Sequence, residues 1–225
     1  MKKAFTLAEV LITLGIIGVV AAMTLPVLVS NYQKTVWVNQ LKKDVSTVQN
    51  GVKKIMADEE VYNIWDTTLL STIFNNDCMY DDSEKEECIE FLKNLKKYFN
   101  GDITKPDENY KLYFMDGTLV DNLIDNYYDD TVNLSLADGS FISLSSYEEK
   151  LIIGIDVNGY KKPNKFGRDN FSFALDKDAS ITQLSNSNFK RMSKSDCISN
   201  AKRFKQVSDY ICFNYLRSNG WKMDY

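Results

Sequence analysis

An uninterrupted apolar run near the amino terminus constrains this chain more than any other feature. The residues from Val10 to Val29 carry no charge, and as a helix they span about 30 Å, the thickness of a bilayer's hydrocarbon core. Lys2 and Lys3 precede the run, which favours a cytoplasmic amino terminus, although Lys34 and two further lysines beyond the run weaken this asymmetry. The run predicts one membrane-spanning helix.

A carboxylate, Glu9, stands immediately before this run. A charge costs roughly 2.5–3.5 kcal/mol at the centre of a membrane helix and less toward the interface, so Glu9 requires a functional explanation. Two ordinary interpretations, a cleaved secretory signal and a plain signal anchor, need no acidic residue at this position. Neither explains the sequence FTLAE, residues 5–9, that contains it.

The stretch KKAFTLAE, residues 2–9, followed by the apolar run, resembles the class III signal of type IV pilins and type II secretion pseudopilins. The resemblance implies that a prepilin peptidase cuts between Ala4 and Phe5 on the cytoplasmic side and methylates the new amino terminus at Phe5. Members of that family usually have Gly before the cut, where this chain has Ala4. The apolar helix would remain part of the mature subunit.

The resemblance also implies a role for Glu9. In a filament its carboxylate would neutralise the terminal amine of a neighbouring subunit inside an apolar bundle, a partner that a single subunit lacks. A buried charge is tolerated when paired and very unfavourable when alone, so this pairing would favour correctly docked subunits. Pro26, where many pilins have a proline, is expected to kink or locally melt the helix.

The composition excludes several classes of site. The chain has no histidine, which removes Ser-His-Asp and Cys-His catalysis and histidine-based zinc sites. A formal net charge of −4 gives no general attraction to nucleic acid, and the basic clusters within residues 161–168, 190–194 and 202–205 are interpreted as solvated surface. We therefore predict no enzymatic activity and no specific nucleic-acid partner.

Hydrophobic periodicity predicts an α+β fold, which is also the fold of the pilin family. Apolar residues three and four apart extend the first helix to about residue 57. Alternation from Tyr110 onward, with a hairpin signal at Asp138-Gly139, predicts an antiparallel sheet with one face on the core. The clearest signals are strands at Leu112–Phe114, Val132–Leu136, Leu151–Val157 and Phe171–Leu175, a short helix ending before Asn100, and a helix around Tyr210–Leu216.

These patterns predict a leader at residues 1–4, a long helix at 5–57 that spans the membrane at 10–29, and an exported globular head at 58–225. The expected function is that of a structural subunit in a type IV filament or a type II secretion-type machine. Its partners would be the prepilin peptidase, the membrane and other pilin or pseudopilin subunits. The protein would insert once into a bacterial cytoplasmic membrane, amino terminus inside, and then enter a periplasmic or cell-surface filament.

Two alternatives remain open. The first is a membrane-anchored exported enzyme or binding domain whose signal merely resembles a prepilin. Carboxylate chemistry such as glycoside hydrolysis would suit a head without histidine, but no Asp or Glu pair stands out by its spacing. The second is a minor pilin whose head binds DNA or a surface, which differs from the main interpretation in stoichiometry and not in fold.

Four cysteines, Cys78, Cys88, Cys197 and Cys212, are spaced too widely for a zinc ribbon. In an exported head they predict two disulfides, whereas in the cytosol they would be free thiols. We expect Cys78 to pair with Cys88 and Cys197 with Cys212. The second pair needs a break near residues 206–208, because one continuous helix would hold its sulfurs about 22 Å apart. The family often closes a C-terminal loop with a disulfide, so the resemblance agrees.

The segment DVNGYKKPNKFGRD, residues 156–169, is longer than the minimal hairpin its Asn-Gly pair could form. Asp156, Asn158, Asn164 and Asp169 offer the hard oxygen ligands that Ca²⁺ prefers. The segment loosely resembles calcium loops near the sheet of some major pseudopilins, but it lacks the third Asp or Asn and the closing Glu of an EF-hand. A loop in which the same side chains cap backbone amides and bind nothing remains the alternative.

Overall fold

The computed structural model describes residues 6–74, 86–104, 110–120, 131–147, 149–182, 193–199 and 208–225. By its internal contacts the chain divides into two units, residues 1–36 and 37–225. The first unit contains the amino-terminal part of the long helix α1, Leu7–Asp58. The second unit contains the rest of α1 together with the sheet and the shorter helices. From here on the word head refers to this whole unit, residues 37–225.

The predicted α+β arrangement, a long apolar helix followed by an antiparallel sheet, is confirmed. Within the described residues six strands follow one another in chain order across the sheet, and each neighbouring pair is antiparallel. They are β1 (Gly101–Ile103), β2 (Val132–Leu136), β3 (Phe141–Tyr147), β4 (Lys150–Asp156), β5 (Asn170–Leu175) and β6 (Ile181–Thr182). The shorter helices are α2 (Thr68–Phe74), α3 (Glu86–Phe99), α4 (Lys194–Ser199) and α5 (Ser208–Ser218).

The head's core lies between the last third of α1 and one face of the sheet. The predicted stripe of α1 is buried there, with Leu41, Val48 and Ile55 fully inaccessible. Alternate residues of the central strands meet this stripe, and Ile153 of β4 lies opposite Phe173 of β5 on that face. Burying one such side chain contributes about 1.5–3 kcal/mol, so this helix-on-sheet contact supplies much of the stability.

One predicted strand is wrong. Leu112 and Phe114 alternate as a strand would, but residues 110–120 form a small local hairpin outside the sheet. Its turn is closed by Phe114, whose N–H donates to the carbonyl of Thr118 at 2.8 Å. The alternation nevertheless gave the correct buried face, because both side chains enter a small aromatic cluster with Phe141 and Phe166.

The carboxyl-terminal helix α5 is confirmed and is longer than predicted. Phe213 stacks on Phe173 of β5 with ring centroids 5.0 Å apart, which fastens the helix to the core. The helix ends at Ser218, immediately before Asn219-Gly220. Gly220 adopts a left-handed φ of 63°, and the N–H of Trp221 turns back to the carbonyl of Leu216 at 2.7 Å.

Candidate functional site

The first unit presents a long apolar surface. Its large aliphatic side chains between Val10 and Val29 are exposed, with Leu28, for example, at 66%. By length and composition α1 is the one helix among the described residues that could cross a membrane. Such a surface is stable only in apolar surroundings, either lipid or other apolar helices.

The helix begins with a reciprocal cap between Thr6 and Glu9. The Thr6 hydroxyl accepts a hydrogen bond from the N–H of Glu9 at 3.2 Å, and Oε2 of Glu9 accepts the N–H and the O–H of Thr6, each at 2.8 Å. This is the capping box, in which the two residues satisfy amides that the first helical turn leaves unpaired. Glu9 therefore also marks where α1 starts.

Glu9 thus has a hydrogen-bonding partner in its own chain, although not the cationic partner that the predicted pairing between subunits requires. Thr6 is neutral, so the cap satisfies hydrogen bonds without neutralising the charge. This role was not predicted from the sequence, although the pattern Thr-x-x-Glu before an apolar run is its known signature. Ala4 and Phe5, the predicted cleavage residues, lie outside the described residues.

Of the two effects expected of Pro26, a kink or local melting, the structure contradicts the melting. Residues on both sides of it remain helical, and α1 runs through this position without a break.

In the same part of α1, no atom of another residue, apart from the helix's own neighbouring residues, lies within 4 Å of the position where a Cβ would stand on Gly15 or Gly18. One surface of this part of α1 is therefore open to close approach by another helix.

Residues 1–25 match the family model of the prokaryotic N-terminal methylation motif. This is the prepilin-type signature for cleavage and methylation that type IV pilins and pseudopilins carry. The predicted resemblance is confirmed over that segment, and the match supports a pilin-like or pseudopilin-like precursor. No curated protein and no solved structure matches the chain significantly. The families that carry this motif are structural rather than enzymatic.

In the head, three of the four predicted oxygen ligands lie in one loop, residues 157–169, between β4 and β5, and the fourth, Asp156, is the last residue of β4. Asp169 is fully buried, and its two carboxylate oxygens accept the N–H groups of Asn164 at 2.8 Å and Lys165 at 2.6 Å. Asp156, at the end of β4, is 1% exposed and accepts the Tyr110 hydroxyl at 2.6 Å. The two carboxylates thus cap backbone and side-chain donors, as the alternative interpretation expected.

Yet two acceptor atoms of the loop are left without a donor. The amide oxygens of Asn158 and Asn164 are buried and accept no hydrogen bond. Burial raises the pKa of Asp156 well above its usual range, and the negative charge of Asp169 adds to this shift. Burial also raises the pKa of Asp169, against the effect of the amides of Lys165 and Asn164. Two carboxylates and two unpaired amide oxygens form an all-oxygen set suited to a hard cation.

This set has only two carboxylates. Among the described residues no group of three or more His, Cys, Asp or Glu side chains is placed to hold a metal ion. A calcium ion here would therefore need backbone carbonyls or water to complete its six to eight oxygens.

A disulfide joins Cys197 of α4 to Cys212 of α5, as predicted. The loop packs directly against this bond, because a Cβ on Gly167 would collide with the Cys212 sulfur and lie 3.2 Å from that of Cys197. The Tyr225 hydroxyl donates to the Gly167 carbonyl at 2.6 Å. The disulfide and the carboxyl-terminal tail therefore hold one end of the loop.

Other predictions fall on residues that the structure does not describe. The proposed Cys78–Cys88 disulfide lies outside the described side chains, as do the basic clusters at 190–191 and 202–205. The break predicted near residues 206–208 is bounded by α4, which ends at Ser199, and α5, which begins at Ser208.

Proposed function

We propose that this protein is a structural subunit of a type IV filament or a type II secretion-type machine that assembles through its amino-terminal helix. The match of residues 1–25 to the methylation motif carries the proposal. In this account the prepilin peptidase cuts between Ala4 and Phe5 and methylates Phe5. Residues 10–29 then hold the subunit in the membrane until it joins other pilin-like subunits.

The topology follows from the same account. The amino terminus stays in the cytoplasm, where the peptidase of this family acts, and the head is exported. The Cys197–Cys212 disulfide supports export, because disulfides persist in oxidising compartments and are rare in the cytosol. In the assembled filament the exposed apolar surface of the first unit would be covered by neighbouring helices, and Gly15 and Gly18 would allow them to approach closely.

Glu9 serves this assembly in two stages. Before docking, its carboxylate is held by Thr6 in the capping box. On docking, it pairs with the amine of Phe5 on a neighbouring subunit. A buried carboxylate gains far more from a cationic partner than from a neutral hydroxyl, so the exchange favours the docked state.

Substitutions at the two capping residues test the proposal, because they separate charge from capping. Glutamine can occupy the same position of a capping box, so Glu9→Gln keeps the cap and removes the charge. We expect Glu9→Gln and Glu9→Ala to insert into the membrane yet be lost from sheared filaments or pseudopili. The matched control Thr6→Ala removes the hydroxyl of the cap, keeps the charge and should still assemble. Normal incorporation of Glu9→Gln would refute the charge-pairing role.

We also propose that the loop of residues 157–169, with Asp156 at its start, binds one calcium ion in the exported head. The unpaired amide oxygens of Asn158 and Asn164, beside two buried carboxylates, favour this second role. Asp156, Asn158, Asn164 and Asp169 would supply the oxygens. The ion would neutralise the two carboxylates and so stabilise the loop.

A further inference from the structure

A polar cluster that neither proposal uses lies where the turn between β2 and β3 contacts α1. The side-chain nitrogen of Gln40 donates to Oδ1 of Asp44 at 3.0 Å and to Oδ2 of Asp138 at 2.7 Å. The Lys43 ammonium contacts the same Asp138 oxygen at 2.5 Å. One amide group thus bridges two carboxylates that belong to different elements.

Asp44 is the buried member of this cluster. It is 0% exposed and lies on the apolar stripe of α1, beside Leu41, Val45 and Val48. Its Oδ1 is satisfied by Gln40, whereas its Oδ2 has no hydrogen-bond partner. An ionised carboxylate in this position leaves a buried acceptor unpaired, which is costly. The geometry therefore favours a protonated Asp44.

The charged groups that face Asp44 are Asp138 from the turn and Lys43 from α1 itself. Burial raises the pKa of Asp44 to about 7, and the negative charge of Asp138 adds to the shift, while Ser140, Gln40 and Lys43 oppose it. For Asp138, burial acts in the same direction, but hydrogen bonds from Lys43, Ser140 and Gln40 outweigh it and hold its pKa below the usual range. The pKa values of the two carboxyl groups are therefore shifted in opposite directions.

We propose that Asp44 and Asp138 form a proton-sensitive latch between α1 and the β2–β3 turn, which is tighter when Asp44 carries a proton. With the proton, Asp44 is neutral and Asp138 keeps its ion pair with Lys43. Without it, two carboxylates share one lysine and one amide, and a buried oxygen of Asp44 stays unpaired. Acidic surroundings fasten the turn to α1, and a rise in pH through neutrality loosens it.

The direction of this pH dependence follows from proton linkage. The pKa of Asp44 rises from 3.8, its ordinary value, to about 7 in the folded head. Between these two values the unfolded chain has released a proton that the folded chain keeps. The folding equilibrium constant therefore falls about tenfold per pH unit on account of this group. Its contribution is complete below the unfolded pKa and is lost as the pH rises through the folded one.

The test compares unfolding of the full chain in detergent between about pH 4 and pH 8 with that of Asp44→Asn. We expect the variant to lose a pH dependence of about tenfold per unit in the folding constant. Asp102→Asn, which changes an exposed side chain on β1, should retain it. Asp156 and Asp169 titrate in all three proteins, so the difference isolates Asp44. The same slope in wild type and Asp44→Asn would overturn the latch.

A second measurement does not depend on Asp44→Asn folding. Carbon-13 NMR of aspartate-labelled protein should show, besides the signals of Asp156 and Asp169, whose pKa values are also raised, one carboxyl signal that titrates near neutral pH and responds to Asp138→Asn. In Asp138→Asn that midpoint should fall, because a neighbouring negative charge is gone. In the wild type the N–H groups of Gly139 and Ser140 should exchange more slowly at acid pH than at neutral pH, and in Asp138→Asn this difference should disappear. If no aspartate signal affected by Asp138→Asn titrates above about pH 5, where an unperturbed carboxyl is already ionised, the latch is refuted.

Discussion

A Cβ atom on Gly51 of α1 would lie 2.6 Å from Cε1 of the Phe99 ring at the end of α3. Phe99 is 1% exposed and belongs to the main core of the head, so its ring has little room to move. The two helices therefore approach each other at a point where α1 has no side chain. Glycine is ordinarily unfavourable in a helix, but at position 51 this contact leaves no room even for a methyl group.

Gly51→Ala should therefore destabilise the head. We expect the cost of overpacking the core, about 1–3 kcal/mol, to exceed the gain of about 1 kcal/mol from replacing a helical glycine. Urea unfolding followed by tryptophan fluorescence measures the difference. Gly18→Ala, in the same helix with no atom near its Cβ position, is the matched control and should leave the head unchanged. Adding Phe99→Leu to Gly51→Ala should recover stability; a clear stabilisation by Gly51→Ala alone would contradict the packing described.

Replacing both Cys197 and Cys212 by serine should lower the free energy of unfolding by about 3 kcal/mol, the chain-entropy value for a loop of this size. Because Gly167 packs on the disulfide, amide exchange in residues 165–168 should also rise. Non-reducing peptide mapping comes first, and crossed linkage with Cys78 or Cys88 would refute the pairing. The variant Cys78→Ser with Cys88→Ser tests the other predicted disulfide and should leave exchange in the loop unchanged.

Millimolar calcium should raise the Tm of the full chain and protect the loop of residues 157–169 from proteolysis. Asp169→Asn and Asp156→Asn should each abolish this response, because each removes one of the two carboxylates that an ion would neutralise. Asp178→Asn, in an exposed turn, is the control. Magnesium, which favours a smaller octahedral site, should have less effect. No thermal shift and no heat of binding with calcium would leave the loop with a capping role alone.

The central sheet could be predicted from sequence because its signals are local. β4 and β5 alternate cleanly, and Asp138-Gly139 marks the turn between β2 and β3. The short strands β1 and β6 were missed, since two or three residues cannot establish a period. The segment containing Leu112 and Phe114 was placed in the sheet wrongly, because alternation reports which side chains are buried and not which partner the backbone finds.

Among the candidate sites too, those with a local sequence signal could be predicted and those formed by residues far apart in the chain could not. Glu9 was recognisable as a charge beside an apolar run, but its capping partner Thr6 was overlooked although the pattern was visible. The four candidate oxygen ligands, three in the loop and Asp156 just before it, could be identified together because they are close in sequence. The Asp44–Asp138 cluster could not have been found, since its members are far apart along the chain and Asp44 interrupts the apolar stripe without altering its period.

Mass spectrometry of the protein purified from its native membrane determines whether the chain is processed as a prepilin. We expect a mature chain that begins at Phe5, lacks residues 1–4 and carries one added methyl group on its terminal amine. Ala4→Gly, which restores the residue usual in the resembled family, should be processed at least as completely. A chain that keeps its first four residues, or one cut after the apolar run so that Glu9 and the membrane helix are lost, would refute the proposal that it is a pilin-like subunit.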